Sequence, residues 1–128
     1  MPTWPGTTGD VVTSTMWNGL PAFTVQTAKT ADYTAASGDE YQQLIPMNKA
    51  TAIAFKLPTD ATYNFPIGTA ITVFNIGAGT LTISAVTSGT TTVLSAGSTA
   101  AAPTLVQNTS AVCVKTAANA WYVFGAVV

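Results

Sequence analysis

Between Phe65 and Val86 the chain reads FPIGTAITVFNIGAGTLTISAV, and apolar residues alternate with small polar ones on either side of a Gly-Ala-Gly break. Ile71 and Val73 alternate with Thr72, and Leu81 and Ile83 alternate with Thr80, Thr82 and Ser84. A period of two places such residues on one face of an extended strand and excludes an amphipathic helix. The same rhythm recurs in TAIAFKLP, where Ile53, Phe55 and Leu57 point one way, and in SAVCVKT and AWYVFGAVV. In the last of these, Tyr122 and Phe124 share one face and Trp121 and Val123 the other. YQQLIPM is a short strand interrupted by Pro46, which suggests an edge or a bulge. Turn signals return every eight to twelve residues, and no helical stretch of useful length intervenes. The chain is therefore expected to be all-β: a small antiparallel β-sandwich or barrel, jelly-roll-like. The Gly-Ala-Gly segment is expected to close a hairpin, and AANA a second one.

The segment 1–21, MPTWPGTTGDVVTSTMWNGLP, shows no sustained period and is rich in Pro and Gly. It is expected to be an extended arm, with residues 22–128 forming the folded domain. Trp4, Met16 and Trp17 are its candidate partner-binding residues, because large apolar side chains serve as anchors when a segment docks.

Charge is scarce. Charged residues make up 7 % of the 128, against about 25 % in an ordinary soluble domain. The net charge is −1, with no arginine and no histidine, so no basic field exists to hold nucleic-acid phosphates. Hydrophobic content is 48 % and mean hydropathy +0.36, yet no apolar run approaches the roughly 18 residues of a membrane span. The opening residues lack the basic start and apolar stretch of a signal peptide. Neither a nucleic acid nor a membrane is expected as a partner. Threonine fills about a fifth of the positions, and outward-facing strand positions carry Ala, Thr or Ser where Lys or Glu is usual. Charged edges are a standard device against unwanted strand pairing. Their scarcity implies a surface made to be covered by copies of itself or by another protein.

The same inventory limits chemistry. Without histidine the Ser-His-Asp arrangement and the usual zinc-hydrolase sites cannot form. A carboxylate pair could support glycoside cleavage, and the candidates are Asp32, Asp39, Glu40 and Asp60. Asp39 and Glu40 are adjacent in AASGDEYQQ and read as a solvated pair at a turn top. No calcium loop of the D-x-D-x-D-G kind is present, and GAGT opens no helix that could bind phosphate. The single cysteine, Cys113, shares a strand face with Ala111 and Lys115, opposite Val112 and Val114, and reads as a small packing residue. No catalytic residue, metal or cofactor is expected.

The order of several loose motifs resembles a β-rich virion module of tailed bacteriophages. Tyr33 and Thr34 lead to an acidic turn, and a strand ends at Met47 and Asn48. Phe65 to Val73, the glycines Gly77 and Gly79, and Trp121 to Gly125 then follow. The resemblance covers about the last hundred residues. It implies a structural protein of the particle, a decoration or cement protein seated on the outside of the head and bound to the major capsid protein, and it implies a homotrimer. Charge-poor faces carrying Ala52, Ala54, Ala111 and Cys113 are expected to pack together in that trimer. An alternative is a tail-fibre or spike tip that binds a receptor or glycan through aromatics such as Tyr41 or Tyr63. A third reading is a glycan-cleaving tail enzyme built around Asp39 and Glu40.

Overall fold

The β-branched and alternating segments settle as nine strands in a computed structural model that describes residues 25–40 and 44–128. They are β1 (Tyr33–Thr34), β2 (Leu44–Met47), β3 (Ile53–Leu57), β4 (Ala70–Asn75), β5 (Leu81–Ala85), β6 (Thr92–Ser95), β7 (Thr104–Leu105), β8 (Thr109–Ala117) and β9 (Ala120–Gly125). No helix is present among the described residues. The strands form two sheets, one of order β1-β3-β5-β7 and one of order β2-β4-β8-β9-β6. The chain is all-β.

The expected antiparallel arrangement gives way to mixed sheets. β1–β3, β2–β4, β3–β5 and β6–β9 pair parallel, while β4–β8, β5–β7 and β8–β9 pair antiparallel. The sheets remain open at their edges, so no barrel closes. The AANA hairpin forms as expected between β8 and β9, with Asn119 in the left-handed region at φ 50°.

The Gly-Ala-Gly hairpin does not form. β4 and β5 lie in different sheets, and the segment between them is a corner that carries the chain from one layer to the other. The segment between β2 and β3 does the same. The two corners stack, because β2 on β4 and β3 on β5 keep the same register offset, Leu44 against Thr72 and Ile53 against Leu81. Backbone hydrogen bonds run through the corners as well: Ile76 N–H to the Met47 carbonyl at 2.9 Å, Gly79 N–H to Lys49 at 2.9 Å and Ile53 N–H to Thr80 at 3.1 Å. Asn75, fully buried, locks the upper corner. Its Nδ2 donates to the carbonyls of Gly79 and Leu105, and its Oδ1 accepts from Gly77 N–H. Residues 25–34 lay a shorter course on the same stack, through bridges from Val25 to Leu44 and Lys29 to Met47 and through β1.

Alternation explains how one core serves both layers. Ile45, Met47, Ile71, Val73, Cys113, Trp121 and Val123 point inward from the five-stranded sheet. Ile53, Phe55, Leu57, Leu81, Ile83 and Leu105 meet them from the other. Phe65, from the loop before β4, stands edge-on to Trp121 with ring centroids 5.6 Å apart. Fully burying one such aliphatic or aromatic side chain stabilises a fold by about 1.5–3 kcal/mol. The indole Nε1 of Trp121 is buried with no hydrogen-bond partner among the described residues.

Ala111 and Cys113, expected on an intersubunit face, are core residues at 1 % and 0 % exposure. The strand turns Val112 and Val114 to its other, half-buried face instead. Burial pushes the Cys113 thiol up from about 9 to about 12. The unfolded chain therefore gives up this proton from pH 9 upward while the folded chain keeps it, so stability falls as pH rises from 9 toward 12. The expected loss is about 1.4 kcal/mol per pH unit. Thermal melts across pH 8–11 should show this slope, and Cys113→Ala should flatten it between pH 9 and 10. An unchanged slope in that variant would assign the alkaline loss elsewhere.

Candidate interaction surface

The fold consumes the acidic residues, the candidates for catalysis, in structural roles. Asp39 is buried, not solvated. Its Oδ1 accepts from Gln26 Nε2 at 2.7 Å, and its Oδ2 accepts from Tyr33 Oη at 2.8 Å and from Ala36 N–H at 2.8 Å. Glu40 accepts from Gly38 N–H at 2.6 Å and from the Tyr63 hydroxyl. Burial, with the bond to Asp39 and its charge behind it, pushes the Tyr33 phenol up to about 12. The turn closes on itself because its backbone donors would otherwise be left unpaired. Asp32, at the surface, accepts from Ala54 N–H at 2.9 Å and so caps the start of β3.

Asp60 belongs to a second polar node. Lys115, 1 % exposed, donates from Nζ to Asp60 Oδ1 at 2.6 Å and to Asn64 Oδ1 at 2.6 Å. Asp60 and Asn119 bond reciprocally: Asp60 N–H to Asn119 Oδ1 at 2.8 Å and Asn119 N–H to Asp60 Oδ2 at 3.0 Å. The node ties the loop after β3 to the β8–β9 turn. Among the described residues no group of three or more His, Cys, Asp or Glu could hold a metal ion.

With these residues accounted for, the distribution of charge becomes the informative feature. From residue 61 to residue 128 the only charged side chain is Lys115, which is buried. The exposed part of that half of the chain carries no charged side chain at all. Lys29, Asp32, Glu40, Lys49 and Lys56 all sit on the stacked courses of residues 25–57.

The outer face of the five-stranded sheet shows what takes the place of charge. Two rows of neighbours cross it: Leu44, Thr72, Val112 and Phe124 in one, and Ala70, Val114, Tyr122 and Leu94 in the other. Leu94, Tyr122 and Phe124 lie about half exposed at the β9–β6 side, at 50 %, 51 % and 55 %. The alternation in AWYVFG assigns Tyr122 and Phe124 to one face. What it conceals is that Leu94, from a strand three elements earlier, stands beside Tyr122.

Among the other residues singled out from the sequence, Ala52 is exposed and Ala54 half-buried at the start of β3. Tyr63 packs edge-on against Phe65 with centroids 4.5 Å apart. Trp4, Met16, Trp17 and Tyr41 lie outside the described residues.

Fold and surface together define an all-β, two-layer protein with a water-facing charged flank and an uncharged, partly apolar one. Comparison with protein-family models, with curated proteins and with solved structures finds no match to this chain.

Proposed function

We propose that this chain is a structural protein of a bacteriophage particle, a decoration protein that seats on the outside of the head and opposes the separation of capsomers. The observation that carries the reading is the absence of exposed charged side chains over residues 61–128. A free-standing domain keeps mixed charge over its whole surface, while one that spends its life in contact with protein does not need it. The order of motifs that resembles phage virion modules supplies the setting. The alternative, a fibre tip that grips a glycan through Tyr63, finds less support, because that hydroxyl is engaged by Glu40 and its ring by Phe65.

Attachment of this kind rests on apolar burial and backbone hydrogen bonds, which salt screens little. Purified protein added to capsids that lack it should bind, and its retention should change little between low and near-molar sodium chloride. A chain beginning at Ala22 should bind poorly if segment 1–21 is the attachment arm. Failure of the full chain to bind capsids, or its release by moderate salt, would overturn the reading.

A further inference from the structure

The five-stranded sheet treats its two edges differently. At the β2 edge, Pro46 removes a backbone donor, and residues 25–29 cover the strand, with Gln26 N–H on the Leu44 carbonyl and Lys29 N–H on the Pro46 carbonyl, both at 2.9 Å. A lysine stands there as well. These are the usual means of keeping an edge from recruiting another strand. The β6 edge has none of them. Thr92–Ser95 contains no proline and no charge, and no described strand pairs with its free side.

Thr92 N–H donates to the Asn119 carbonyl at 2.8 Å, which fixes the alternation along β6. In a parallel ladder, Thr92 and Leu94 then address β9, and the backbone N–H and C=O groups of Val93 and Ser95 point away from it. Val93 lines a groove of about 480 Å³ together with small uncharged residues, among them Ala85, Ser88, Gly89 and Ala101.

We infer that β6 is a dimerisation strand, and that its occupant is β6 of a second copy of this chain, paired antiparallel about a two-fold axis at Leu94. That register sets Val93 opposite Ser95 of the partner subunit, a hydrogen-bonded pair in which each residue exchanges both bonds, and the axis repeats it. The two Leu94 side chains meet at the axis on the outer face. Each is flanked one strand inward by Tyr122, with Phe124 next along β9. The absence of charge makes the contact self-compatible, since a two-fold axis brings every charge near its own copy and like charges repel. Small residues in the groove leave room for the incoming strand.

The facing leucines give a direct test. Sedimentation of the free protein at tens of micromolar should yield twice the chain mass. Leu94→Lys and Leu94→Glu should each weaken association about a hundredfold, and mixing the two should restore the dimer. Leu94→Cys should cross-link on oxidation, because facing residues of a non-hydrogen-bonded pair lie about 4.5 Å apart at Cα, within disulfide reach. Tyr122→Cys, one strand removed, should not. A wild-type monomer, a trimer indifferent to Leu94→Lys, or single-charge variants that dissociate without recovering on mixing would each overturn the inference. The free protein suffices for every arm of this test, so a failure here leaves capsid binding to be judged separately.

Discussion

Gly79→Ala is expected to abolish the native fold at ordinary growth temperature, whereas Gly89→Ala should be tolerated. A Cβ on Gly79 would be driven into the Thr51 carbonyl oxygen, with Thr51 Cα only 2.9 Å away. Gly77 meets the backbone of Lys49 in the same manner, with its carbonyl carbon at 2.9 Å. These neighbours are main chain, so no rotamer change can relieve the clash, and the stacked corners must part. Parting them breaks the Gly79 to Lys49 and Ile53 to Thr80 hydrogen bonds and removes an acceptor from buried Asn75. Losses above about 4 kcal/mol are rare for one substitution and mark a disrupted core or backbone, and this site combines both. Gly89, at φ +87° with open space around an added Cβ, should cost only about 1–2 kcal/mol. Urea titration of the soluble fractions would compare them. A Gly79→Ala protein as stable as Gly89→Ala would show that the corners do not stack closely.

Asp60→Ala is expected to cost about 3–5 kcal/mol, because it strands the ammonium of Lys115 in the interior with only Asn64 for company. For a domain of this size that is a drop in Tm of roughly 15 °C. Removing the charge is gentler than orphaning it, so Lys115→Met should cost less, and the double variant Asp60→Ala with Lys115→Met should recover much of the loss. Additive losses in the two single variants and the double would mean that the pair is not coupled, contrary to a separation of 2.6 Å.

Strand faces were legible in the sequence, and strand partners were not. Alternation alone separated Trp121 and Val123 from Tyr122 and Phe124 on opposite faces, and put Cys113 with Ala111 and Lys115, without saying which face lies inside. Pro46 pointed to the sheet edge where β2 lies. A period of two says which way a side chain points and nothing about which strand lies alongside. Gly-Ala-Gly between two alternating runs reads the same whether the chain folds back within one sheet or crosses to another. The difference was made by Lys49 and Thr51 in the preceding corner, whose backbone lies against those glycines. The courses 44–57 and 72–85 share their pattern of inward positions, Ile45 with Val73 and Phe55 with Ile83, but almost no identities. The repeat was therefore invisible as a repeat. Asp39 looked solvated for a related reason: of its partners, Gln26 is 13 residues away and Tyr33 is 6, and neither marks itself as a carboxylate ligand.

The stacked corners also bear on the order in which this chain can acquire structure. Most of its ladders join strands with at least one other strand between them in the chain, and closing such loops costs entropy before any contact repays it. β8 and β9 alone, among the described strands, are joined by a two-residue turn and can pair locally, in microseconds. That pair follows every other strand in the chain, so during synthesis β1 to β7 must emerge before the template on which β4 and β6 align. For the ribosome-bound chain, the uncharged strands β4 to β7 therefore stand exposed until β8 and β9 emerge to hold them.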